Sequence, residues 1–134
     1  MPLVTDLMGL GMPPEQATAL STFSTSSAPA LSSSGSLTAT GTTIADALAL
    51  TSFVNLVGTA AASTGVKLPD APVGTMVVVQ NNGANALNVF PHGATGTLNG
   101  GTAGAAVTCA AAAGNLCIRR SATDWLVFVV AKEA

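Results

Sequence analysis

The chain has 134 residues, only 7% of them charged, and a formal net charge of −2. That length suffices for one domain with its own core and a short appendage, but four scattered cations, Lys67, Arg119, Arg120 and Lys132, form no basic stripe. Binding to nucleic acid or to an anionic membrane surface, which needs several phosphates neutralised together, is therefore not expected. Mean hydropathy is +0.56 although aromatic residues make up only 4% of the chain. An ordinary soluble domain carries about 25% charged residues. A deficit this large points to an exterior covered by copies of the chain or by a larger assembly, because depletion of charge marks interface cores.

In chain order, Met1–Gly11 lacks a basic segment and is interrupted by glycines, so it does not read as a signal peptide. Thr5-Asp6 can cap a short helical turn that Gly9 and Gly11 stop. Met12-Pro13-Pro14-Glu15 then reads as a second helix start, with proline in the first turn and Glu15 near the positive end of the dipole. Residues 1–20 are thus expected to be a short helical anchor. It would be too short to stand alone. Residues 21–43 are rich in Ser, Thr and Gly, with no charge between Glu15 and Asp46. They read as an extended arm or linker, although Leu31 and Leu37 among polar residues also suit an edge strand.

Residues 44–134 read as β. Strand-sized runs occur at Thr51–Val57, Gly65–Pro69, Met76–Gln80, Ala86–Phe90, Ala106–Cys109, Leu116–Arg120 and Trp125–Val130. Asn81-Asn82-Gly83-Ala84-Asn85 contains the strongest short turn pair and predicts a β-hairpin between the third and fourth runs. About seven strands at this spacing predict a small antiparallel β-sandwich, jelly roll or barrel. The expected core is Phe53, Val77, Val79, Leu87, Val89, Leu116, Ile118, Trp125, Val127 and Val129.

The residues offer little for catalysis. His92 is the only histidine, and no Gly-x-Ser-x-Gly elbow presents a nucleophile to it. One His and two Cys fall short of a closed zinc site, and six dispersed acids form no calcium loop. The glycines of Gly93–Gly101 lack the Lys-Ser/Thr ending of a phosphate loop. Cys109 and Cys117 are compatible with one disulfide but read better as reduced, partly buried thiols. His92 reads as a solvated loop residue or an intersubunit contact. The expectation is a protein that is not an enzyme and needs no cofactor or metal.

The order Gly65-Val-x-Leu-Pro69, Gly74-x-x-Val77-x-Val79-x-Asn81, Asn82-Gly-Ala-Asn85-x-Leu-x-Val-Phe-Pro91, Leu98-Asn-Gly100 and Trp125 resembles a family of tailed-bacteriophage virion proteins. These are described as capsid decoration, cement or head-fibre proteins. Gly11-Met-Pro-x-x-Gln-Ala17 is similar to what precedes such domains. The resemblance implies a β-rich structural protein, made in the host cytoplasm and carried in many copies on the capsid exterior. Its expected partners are the major capsid protein and itself, a homotrimer being favoured over a dimer. The segment chosen for capsid contact is Leu7, Met8, Leu10, Met12, Leu20, Phe23 and Leu31. The alternative is a receptor- or glycan-binding fibre or tail module, against which the scarcity of aromatics counts.

Overall fold

The computed structural model describes residues 32–131. The two helical turns expected before residue 20, and all seven residues chosen for capsid contact, lie outside the described residues. Those described form ten strands and no helix. They are β1 (Ser33–Thr38), β2 (Leu48–Ala49), β3 (Val54–Thr59), β4 (Gly65–Lys67) and β5 (Met76–Asn81), then β6 (Leu87–Phe90), β7 (Thr97–Leu98), β8 (Val107–Cys109), β9 (Gly114–Arg119) and β10 (Asp124–Val130).

The expectation of a mainly β chain holds, but its arrangement differs from a sandwich, jelly roll or barrel. Strands β1, β3 and β5 are parallel neighbours in a six-stranded sheet of order β1-β3-β5-β9-β10-β7. Strands β2, β4 and β6 are parallel neighbours in a four-stranded sheet of order β2-β4-β6-β8. The chain therefore alternates between the sheets and climbs one strand per turn, giving a short solenoid-like stack. Ser33, Val54 and Val78 align across one sheet, and Leu48, Val66 and Val89 across the other. The last strands close the stack differently. β8 runs antiparallel to β6, β9 antiparallel to β5, and β10 antiparallel to β9, with β7 parallel to β10 at the edge. The Ser/Thr-rich stretch contributes β1, an edge strand of the chain's own sheet, blunted by register shifts and by Ser36 at φ 55°.

The expected hairpin is absent: β5 and β6 belong to different sheets. Asn81 decides this. Its fully buried amide Nδ2 donates to the carbonyls of Asn85 (2.9 Å), Cys109 (3.1 Å) and Ala110 (3.1 Å), while its Oδ1 accepts from Gly83 N (2.9 Å). Asn82 N bonds Val57 O, and Asn85 Nδ2 bonds Ala60 O (2.9 Å). Gly83 lies so close to this preceding turn that a Cβ would sit 2.8 Å from Ala60 N, which excludes any larger residue. The Asn-Gly segment is thus tied to other strands' backbone and forms a corner between sheets.

The core lies between the two sheets. Val57, Val77, Val79, Cys117 and Trp125 from the larger sheet meet Val66, Leu87, Val89 and Cys109 from the smaller, with Leu50, Leu68 and Leu98 filling the ends. The expected core is corrected at four positions. Leu116 and Ile118 are half-buried on the outer face, Phe53 is half-buried, and Val129 is 63% exposed. Pairing of Val77 with Cys117 and of Arg119 with Trp125 fixes the register of β9, so Asn115, Cys117 and Arg119 turn inward. A one-residue alternation error reverses every side chain of a strand. Both cysteines are free and buried, and burial, followed by the neighbouring Cys109, pushes the Cys117 thiol up to about 12.

Two truncations separate the faces in urea titrations. Val79→Ala is expected to cost about 2 kcal/mol and Leu116→Ala less than about 1 kcal/mol. Asn81→Ala is expected to cost about 3 kcal/mol, because it strands buried backbone acceptors. Equal costs at 79 and 116 would contradict the assignment of faces.

Candidate functional site

Two features concentrate the chemistry. The first is a polar cluster at one end of the larger sheet. Arg119, the last residue of β9, is buried with its side chain only 7% exposed. Its guanidinium gathers two separate loops. Nη1 donates to Asp70 Oδ1 at 2.6 Å and to Ala71 O, while Nε and Nη2 donate to Ser121 O and Ala122 O. Its charge lies 6.0 Å from the Trp125 ring centroid, within cation–π range. Asp70 is exposed, and its hydrogen bond and charge contact with Arg119 hold its carboxyl below the usual carboxylate range.

His92 sits against this group. The Trp125 indole Nε1–H donates to His92 Nδ1 at 3.2 Å, and Arg119 Nη2 lies 3.3 Å from Nε2. The reading of His92 as a solvated loop residue is therefore corrected: it is half-buried and serves as the acceptor for the only tryptophan. Because Nδ1 accepts, the single proton of the neutral ring belongs on Nε2, facing a cation. Adding a second proton would set both nitrogens against donors. Burial first, then Arg119, push the His92 pKa below its ordinary 6.5, with Asp70 opposing. Neither nitrogen is free to take a substrate proton, so the cluster works as a tie between loops.

Beside it, Asp124 accepts from Thr97 Oγ1 (2.5 Å) and Gly100 N (2.8 Å), and Arg120 Nε lies 2.6 Å from Oδ2. Burial raises its pKa, but these donors outweigh burial and the net direction is downward. Among the described residues, no three His, Cys, Asp or Glu side chains gather where they could hold a metal.

The second feature is the outer face of the six-stranded sheet. Alternation along β3, β5, β9 and β10 places Val54, Leu56, Met76, Val78, Leu116, Ile118, Leu126, Phe128 and Val130 on one side. Cross-strand pairing sets them in rows: Val54, Val78, Leu116 and Phe128 in one, Met76, Ile118 and Leu126 in the next. Met76 is 40%, Phe128 50% and Val130 57% exposed. The apolar rows of this face carry no Lys, Arg, Asp or Glu, and at their end the same alternation places Asp124, ion-paired with Arg120. Where Gly114 stands on it, a depression of about 270 Å³ is lined by Val78, Gln80, Leu116 and Val130. Contiguous apolar surfaces are where soluble proteins commonly make contacts. Leu116 and Ile118 were legible in the sequence as apolar, but their periodicity alone could not say which face was covered.

The chain matches no protein-family model, no curated protein and no solved structure.

The cluster makes stability depend on acid. A His whose folded pKa lies below 6.5 contributes fully above 6.5 and loses its contribution as pH falls, because the unfolded chain takes the proton first. Asp70 and Asp124, also lowered, lose theirs below their ordinary 3.8. Thermal melts are expected to show the melting temperature falling between pH 7 and 5, with His92→Gln flattening that step. A variant falling as steeply as the parent would place the dependence elsewhere. Arg119→Lys, which keeps charge but loses the fork, is expected to cost about 1–3 kcal/mol at pH 7 by chemical denaturation.

Proposed function

We propose that this chain is a structural virion protein of tailed bacteriophages, bound to the outside of the capsid as a decoration or cement protein that stabilises the head lattice. The observation that carries the reading is the apolar outer face of the larger sheet, exposed on a chain whose composition calls for covered surface. The motif order from Gly65 to Trp125 supports it independently through the family resemblance. In this reading residues 1–43 hold the capsid surface, through Leu7, Met8, Leu10, Met12, Leu20, Phe23 and Leu31, and 44–134 self-associates and faces outward.

The mechanism is mass action. A protein that binds the assembled lattice and not its dissociated parts stabilises the lattice by the free energy of that binding. Standard interfaces bury on the order of 1,600 Å², so a modest contact repeated around a shell adds up to a large total. Such a role requires a rigid body and a defined contact surface, and the charges of Arg119, Asp70, Asp124 and Arg120 are committed to rigidity.

Deleting residues 1–24 removes no residue of a described strand. Occupancy of this variant on purified capsids is expected to fall at least tenfold by quantitative gel analysis. Unchanged occupancy would sink the anchoring role. The parent chain is expected at hundreds of copies per particle, and about a dozen copies would instead indicate a tail or portal component.

A further inference from the structure

The outer face of the larger sheet contains both a knob and a hole. Phe128 on β10 stands half-exposed directly opposite Leu116 on β9. One pairing further along, Gly114 stands opposite Val130. Gly114 presents no side chain, and the carboxamide of Gln80 folds over it, its Oε1 2.9 Å and Val79 O 3.5 Å from where a Cβ would sit. The depression of about 270 Å³ lies beside this glycine, bounded by Val78, Gln80, Leu116 and Val130. An apolar cavity of roughly 150 Å³ already accepts a benzene ring, so the depression has room for a phenyl side chain.

The geometry points to a second copy of this chain as the occupant, docked face to face about a two-fold axis lying along the Leu116–Val130 diagonal. This axis exchanges Phe128 and Gly114, so each protomer's Phe128 enters its partner's depression, while Leu116 and Val130 meet their own counterparts. Such self-complementarity is what an isologous contact requires. With strands about 4.8 Å apart and residues about 3.3 Å apart, the strands of the two sheets cross at roughly a right angle. Orthogonal packing is one of the two common ways sheets meet.

Charge and area favour this occupant. A face whose only ionic groups are one internally paired Arg120–Asp124 at its end brings little like-charge repulsion when it meets itself, whereas a charged partner would leave its own ions desolvated. Four strands by about six residues cover about 400 Å² in plan. Ridged side chains expose more than the plan area, so two copies remove on the order of 1,000 Å² from water, the lower bound for a specific association. Face-to-face contact of this kind yields a dimer, in place of the trimer favoured from the sequence. The inference rests on the reading of this face as an assembly surface and does not depend on the capsid.

Sedimentation equilibrium of the full chain near 100 µM is expected to give twice the 13.0 kDa chain mass. Phe128→Glu is expected to weaken the dimer at least 100-fold and leave a folded monomer, checked by circular dichroism. Val129→Glu, on the opposite face of the same strand and 63% exposed, is expected to leave the dimer intact. A monomeric parent chain, a trimer mass, a dimer that survives Phe128→Glu, or one that Val129→Glu breaks equally would each overturn the proposal. Occupancy on capsids separates the two ideas. A monomer that still coats capsids removes the dimer alone, and a dimer that ignores them removes the capsid role alone.

Discussion

The side chain of Asn81 is the constraint on which the rest of the fold depends. One buried amide at the end of β5 satisfies four backbone groups, two in the following turn and two at the end of β8 and just after it. Buried backbone acceptors must find donors, and here a single side chain provides them, so the chain leaves β5 for the opposite sheet and does not double back. That corner delivers the chain to β6 beside β4, while β1, β3 and β5 stack in parallel in the other sheet. Alternation along each strand then decides which residues the two sheets enclose.

The same economy governs charge. Among the described residues Asp46 accepts from Thr43 N and Oγ1, Asp70 pairs with Arg119, and Asp124 with Arg120. Each of these groups spends its charge on holding loops at strand ends. Arg119 does most, because its fork bonds two loops while its charge lies over the Trp125 ring. His92 completes that arrangement only when neutral, which ties the tryptophan's hydrogen bond to pH. A composition poor in charge is thus consistent with a structure in which ionic groups are local fasteners and broad surfaces are left to apolar and hydroxyl side chains. The outer face of the larger sheet is the clearest such surface. Its apolar rows lie opposite a core of ordinary Val, Leu and Trp packing, so this sheet is apolar on both sides. A sheet that faces solvent on one side usually alternates apolar with polar residues. β9 breaks that rule doubly, sending Asn115 and Arg119 inward and Leu116 and Ile118 outward.

The sequence by itself determined the class of the chain, the placement of most strands to within two or three residues, and Trp125, Val77, Val79, Leu87 and Val89 as core. Those follow from local chemistry: β-branched runs, turn residues and short-range alternation. Parallel pairing came only from the tertiary structure, because it joins residues roughly one rung of 20 residues apart, a period visible only by searching for repeats. The orientation of β9 and the role of His92 were decided there too. An apolar residue looks the same in sequence whether a sheet covers it or not, and a histidine's partners are set by strands far away in the chain. Asn81-Asn82-Gly83 is the sharpest instance. Its local preference is for a turn, and a turn it makes, but long-range hydrogen bonds chose which sheet the chain turns into.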